Sequence, residues 1–167
     1  APATLEITSE LDGVSGQANR YIYNLSNDSS RLAPPYADKK TGTYEEIDVD
    51  GENTSWTSFL KLEDDEVFSY YSVLPAKAEE DLINSISELL LKINYIIKIG
   101  SFEINLSDGA GRGQIMFKTY GLLPASLVKS NTSEASDLIR RTLAYNMLTM
   151  DFYSKSLLKA IYSGQID

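Results

Sequence analysis

Apolar residues recur along this chain with two different periods, and the changes of period mark its elements. Over residues 9–26, Leu11, Val14, Ala18, Tyr21, Ile22 and Leu25 fall three or four apart, which predicts an amphipathic helix. Gly13 and Gly16 weaken that helix, by about 1 kcal/mol each relative to alanine. Residues 27–53 read as loop: Asn27-Asp28-Ser29-Ser30 opens it, Pro34-Pro35 interrupts it and Asp50-Gly51 is a turn signal. So long a loop is unusual in a compact domain, which leaves room for a short strand around Glu45–Val49.

From Ser55 the period drops to two. Ser55–Leu62 and Glu66–Leu74 flank the polar turn Glu63-Asp64-Asp65 and predict a β-hairpin. Trp56, Leu60 and Leu62 share one face of the first strand, with Phe59 on the other; Phe68, Tyr70 and Leu74 oppose Val67, Tyr71 and Val73 in the second. Pro75 is expected to stop that strand. Glu79, Glu80 and Asp81 then sit where acids favour a helix start, and Leu82, Ile83, Ile86, Leu89, Leu90 and Ile93 form a helical stripe over about Ala78–Asn94. A second hairpin follows, with Phe102, Ile104 and Leu106 aligned in its first strand and Ile115, Phe117, Thr119 and Gly121 in its second. Beyond Pro124, Ser133 is the expected cap of a last helix whose stripe runs from Leu138 to Ile161, with a bend expected near Met150-Asp151 and an end near Gly164.

The order helix, hairpin, helix, hairpin, helix predicts an α+β fold: a two-layer domain in which an antiparallel sheet of two hairpins is covered by helices. The two hairpin–helix units do not match in sequence, so they are not a repeat. Residues 1–53 supply the N-terminal helix and acidic loop, read as part of the same domain, and 54–164 supply the α+β core. A chain of 167 residues fits one domain, and at about 150 residues folding buries roughly 70% of the unfolded surface, so no covalent staple is needed.

Composition narrows the chemistry. The chain contains no cysteine and no histidine. Thiolate nucleophiles, disulfides, serine–histidine triads and cysteine or histidine zinc sites are therefore excluded, and carboxylate or lysine chemistry remains. No cofactor is expected. The net charge of −9 repels phosphate backbones and argues against nucleic acid. The charge is uneven: residues 45–66 hold nine acids against Lys61 alone, whereas 127–162 hold Lys129, Arg140, Arg141, Lys155 and Lys159 against three acids. No stretch reaches the ~20 apolar residues of a membrane span, and a cytoplasmic location is the expectation. The chain opens Ala1-Pro2-Ala3 without methionine, so a trimmed N-terminus or a removed targeting segment stays open. Five Asn-x-Ser/Thr triplets, at Asn24, Asn27, Asn53, Asn105 and Asn131, read as chance in a chain rich in Asn and Ser.

Four motifs suggest chemistry but have simpler explanations. Asp108-Gly-Ala-Gly-Arg-Gly113 has the glycines of a phosphate loop, but a strand follows it instead of a helix, so it reads as a hairpin turn. Asp48–Asn53 resembles part of a calcium loop, but glycine is fourth and Phe59 is twelfth, so it reads as a solvated acidic loop. Glu79-Glu80-Asp81 reads as a helix start before it reads as acid–base machinery. Arg140-Arg141 reads as a solvated helix face, with an acidic partner or the Glu45–Glu66 acids as the alternative. Eleven tyrosines are more suggestive, because tyrosine gives a binding surface rigid area and a polar tip.

From Trp56 onward several short motifs accumulate: Ser72-Val73-Leu74-Pro75, Ile93-Asn94-Tyr95, Ile99-Gly100-Ser101-Phe102-Glu103-Ile104, Asp108-Gly109, Met116-Phe117-Lys118-Thr119, Leu138-Ile139-Arg140-Arg141, Asn146–Asp151 and Ala160–Gly164. Together they resemble the YbjN family of bacterial proteins over roughly two-thirds of the chain, Trp56–Gly164. The departures are the extra Ala110–Gly113 in the turn and an N-terminal third that does not align. The resemblance implies a type III secretion chaperone-like fold, often dimeric, and a sensory-transduction or stress-linked regulatory role with no established catalytic residue. The expected function is a non-enzymatic adaptor or chaperone-like regulator that binds an extended or amphipathic partner segment. The alternatives are a homodimer without a client, a small-ligand sensor, and, last, an enzyme using carboxylates. Trp56, Phe59, Tyr70, Tyr71 and Tyr120 are the expected contact residues, with core packing the competing fate for at least half of them.

Overall fold

A computed structural model describes residues 3–6, 44–64, 67–106, 109–123, 125–130 and 132–165. The helix expected over 9–26 and the loop at 27–43 lie outside the described residues, as does the side chain of Leu62. The strands are β1 (Ala3–Glu6), β2 (Tyr44–Asp50), β3 (Ser55–Asp64), β4 (Val67–Ala78), β5 (Ser101–Asn105) and β6 (Gly113–Leu122); the helices are α1 (Ile83–Ile96), α2 (Ala125–Ser130) and α3 (Thr132–Ser163). The sheet order is β1-β2-β3-β4-β6-β5. Strands β2 to β6 are antiparallel to their neighbours, and β1 joins the edge in parallel to β2. The fold is thus α+β: a five-stranded antiparallel open sheet packed against two helices, α1 and α3, with β1 added at its edge.

The expected alternation sets the inner face. Trp56, Leu60, Phe68, Tyr70, Leu74, Ile115 and Phe117 are buried, while Phe59, Tyr71 and Val73 on the opposite parity are half-buried. The strand allowed for near Glu45–Val49 is β2, whose Ile47 and Val49 are fully buried between exposed or half-buried acids. Register then lays Ile47, Ser58, Ser72, Phe117 and Phe102 across five strands in one row. The row is bulky at its ends and small in the middle, which makes a shallow trough for α3.

Three expectations change. Pro75 does not end β4. The pairing with β6 slips between Val73 and Lys77 and resumes at Lys77↔Gln114 and Ala78↔Gly113, because a proline without an N–H can be carried on a bulge. The helix expected from Ala78 begins at Ile83, after a 3-10 turn at Glu80–Leu82, since Lys77 and Ala78 are still held in the sheet. Helix α3 starts at Thr132, one residue before the expected Ser133 cap. Arg140 and Arg141 lie on a solvated helix face, as expected, and bond the carboxylate of Asp137 on their own helix, because residues three and four apart meet on a helix surface. Arg140, then Arg141, hydrogen-bonded to that carboxyl, hold it below the ordinary carboxylate range.

The glycine-rich turn between β5 and β6 behaves as expected: Gly109 and Gly111 adopt φ of 77° and 78°, a left-handed conformation that costs glycine nothing. Gly164 closes α3, with its N–H donating to Ala160 O at 3.0 Å.

Candidate functional site, an apolar groove between two helices

Three polar side chains fix the helices to the sheet and so decide which faces remain outside. Asn146, fully buried on α3, reaches into the trough. Its Oδ1 accepts from Ser72 Oγ at 2.7 Å, and its Nδ2 donates to Tyr70 O, Phe117 O and Thr119 Oγ1, each at 3.0 Å. Asp151, one turn on, grips the β2–β3 turn: Oδ1 accepts from Asn53 N at 3.0 Å, and Oδ2 from Asn53 Nδ2 at 3.2 Å. A side chain on Gly51 would place its Cβ 2.1 Å from Asp151 Oδ1, so the turn can come this close only with glycine there. Asn94, near the end of α1, works as a strand in miniature: its Nδ2 donates to Phe102 O at 3.0 Å and its Oδ1 accepts from Phe102 N at 2.7 Å. It thereby pairs the outer edge of β5 and brings the end of α1 beside it.

With Asn146 and Asp151 facing the sheet, the helical period of 3.6 residues turns Tyr145, Leu148 and Phe152 to the opposite side of α3. Leu148 and Phe152 are 54% and 72% exposed. Across from them the end of α1 presents Ile96, 68% exposed. Between the two helices lies a groove of about 400 Å³. Its floor is the half-buried Ile97, Thr149 and Tyr153, and its walls are Ile96, Tyr145, Leu148 and Phe152, with Lys98 at the rim. Phe152 is held edge-on against Tyr153, with centroids 4.9 Å apart, and Tyr153 packs on Phe102 at 5.8 Å. Beyond Phe152 a second hollow of about 380 Å³ is lined by Asn53, Phe152, Lys155, Ser156 and Lys159. Large apolar side chains clustered at the surface mark an interaction site more often than scattered ones do.

The five residues chosen from the sequence separate by face. Trp56 and Tyr70 are buried in the core. Tyr70 Oη donates to Ser58 Oγ at 2.6 Å, which donates on to Ile47 O at 2.9 Å. Burial drives the phenol's pKa well above its ordinary value, and the bonds to Ser58 and Ser72 offset only part of that. Phe59 and Tyr71 stack on the outer face at 5.2 Å, and the Lys118 ammonium lies 5.7 Å from the Tyr71 ring and 5.6 Å from that of Tyr120. The structure therefore brings Phe59, Tyr71 and Tyr120 into one strip and takes Trp56 and Tyr70 away from it. The residues of the groove are not among those five. Ile96 lies at the edge of the apolar stripe of α1, and Tyr145, Leu148 and Phe152 lie off that of α3. This apolar surplus beyond what one buried face needs was the available signal.

A third hollow, of about 710 Å³, opens where β4 bulges at Pro75, between Trp56, Val73, Lys77, Gln114 and the end of β2. The Trp56 indole N–H beside it is buried without an acceptor among the described residues. Two acids of the calcium-like stretch are engaged in the sheet: Asp48 accepts from Thr57 Oγ1 at 3.1 Å and Asp50 from Ser55 Oγ at 2.9 Å. Among the described residues no group of three or more acidic side chains is placed to hold a metal ion, and no helix is long and apolar enough to cross a membrane. No protein-family model matches the chain, and no curated protein matches it either.

Proposed function

We propose that this protein is a non-enzymatic adaptor or chaperone-like regulator of the bacterial cytoplasm, which holds an amphipathic segment of a partner protein in the groove between α1 and α3. The observation that carries the reading is the set of large apolar side chains left outside the core around that groove. Covering a leucine or phenylalanine is worth about 1.5–3 kcal/mol each, and a groove between two helices accepts the apolar face of a third. The absence of cysteine and histidine from the chain supports binding over catalysis. The helix-covered antiparallel sheet is of the kind that the YbjN resemblance, with its type III secretion chaperone-like fold, implies. The strip of Phe59, Tyr71 and Tyr120 offers a second, smaller contact area on the other face of the sheet.

The test is a selection of displayed helical peptides on the purified protein, repeated on the Leu148→Ser/Phe152→Ser variant. Peptides that bind the parent and lose binding to the variant support the reading. Peptides that bind both equally would place the docking surface elsewhere. A second reading, small-ligand sensing, is favoured by the cleft at Pro75 and the Trp56 N–H beside it, which has no acceptor among the described residues. A small-molecule screen that shifts the emission of this single tryptophan would support it.

A further inference from the structure

The groove is basic in an acidic protein. The chain carries −9 overall, yet among the described residues the charged side chains lining the groove and the adjoining hollow are Lys98, Lys155 and Lys159, with no acidic one beside them. All three lysines are exposed. On α3 the exposed side chains Tyr145, Leu148, Phe152, Lys155 and Lys159 follow one another at intervals of three or four, so they form a single stripe along the helix. The stripe is apolar for its first half and cationic for its second. From Tyr145 to Lys159 it spans about 21 Å at 1.5 Å per residue, roughly four helical turns.

Resting on the docking reading above, we propose that the groove's occupant is an amphipathic helix of about four turns with acidic residues flanking its apolar anchors. The anchors would cover Ile96, Leu148 and Phe152, and the acids would meet Lys98 at one rim and Lys155 past Phe152. Apolar anchors supply most of the affinity in such a groove, while the charges select the partner and its direction. A second copy of the chain fits less well. An isologous contact brings the same patch against itself, so lysine rims would meet lysine rims between two molecules that each carry −9.

The experiment is the same peptide selection with the residues flanking the apolar anchors randomised, read on the parent protein, on Lys98→Glu/Lys155→Glu and on Leu148→Ser/Phe152→Ser. The expected peptides are enriched in Asp and Glu at the flanks. They bind the lysine variant at least about tenfold more weakly, and the difference shrinks as salt is added. Peptides with no acidic bias that ignore the lysine changes but are lost with Leu148 and Phe152 overturn this inference and leave the docking reading standing. A selection that yields no peptide dependent on Leu148 and Phe152 removes both. Light scattering that shows a dimer abolished by Leu148→Ser/Phe152→Ser would put a second copy in the groove, and would also overturn the proposal.

Discussion

Asn146 stands where α3 crosses the middle of the sheet, and its four bonds tie the helix to β4 and β6 at once. Replacing it with leucine leaves the Ser72 hydroxyl without its acceptor and removes the donor that three buried oxygens share. Asn146→Leu is expected to cost about 2–4 kcal/mol, measured by urea unfolding followed through the emission of Trp56. An unchanged midpoint would mean that the network adds nothing net. Gly51→Ala drives a methyl into the Asp151 carboxylate and the Thr54 carbonyl, and about 1–3 kcal/mol should be lost. Tyr70 carries a pH signature. Its folded pKa is raised, chiefly by burial, so the unfolded chain releases this proton first. Its contribution is complete below the ordinary phenol value of about 10 and is lost progressively above it. Tyr70→Phe should flatten that alkaline decline, which unfolding curves across the range would detect. Asn146 could be read from the sequence as a polar residue within an apolar helical stripe. Its partners could not, because they lie on strands 27 to 76 residues away.

The hairpins were legible in outline because a sheet with one buried face writes a period of two into its strands. The ends of the elements were not. Pro75 looks like a stop, but β6 is in reach to resume the ladder at Lys77, so a bulge forms and the following helix is delayed to Ile83. Strand β2 was nearly hidden, because only Ile47 and Val49 alternate with its acids, and its neighbour β3 decides that it is a strand. The joint between α1 and β5 depends on Asn94, which supplies both a donor and an acceptor to Phe102. Asn94→Ala should open that edge locally. The Phe102 amide is expected to exchange with solvent much faster, while global stability falls by about 1–2 kcal/mol. Exchange of Phe102 at the parent rate would show that the edge is held by something else.

For the whole molecule, the feature that matters is the apolar surface that Ile96, Leu148 and Phe152 leave exposed among the described residues. Leu148→Ser/Phe152→Ser removes two exposed side chains, so its unfolding free energy should stay within about 0.5 kcal/mol of the parent while peptide binding at the groove is lost. A large destabilisation would show instead that these residues belong to the core.

The sequence by itself determined the class of fold, most of the inner face of the two hairpins (Leu106, aligned with Phe102, is exposed instead), and the exclusion of thiol and imidazole chemistry. Each of these depends only on local period or on composition. It also held an apolar surplus on two helices, though not its meaning, since an apolar residue off the main stripe can be buried by any neighbour. Tertiary structure decided that. Asn146 and Asp151 turn one face of α3 to the sheet, and Asn94 seats the end of α1 beside β5. The surplus of both helices then gathers along one groove, with Lys98, Lys155 and Lys159 around it. Which residues meet across a fold depends on contacts between distant parts of the chain, and no local pattern records them.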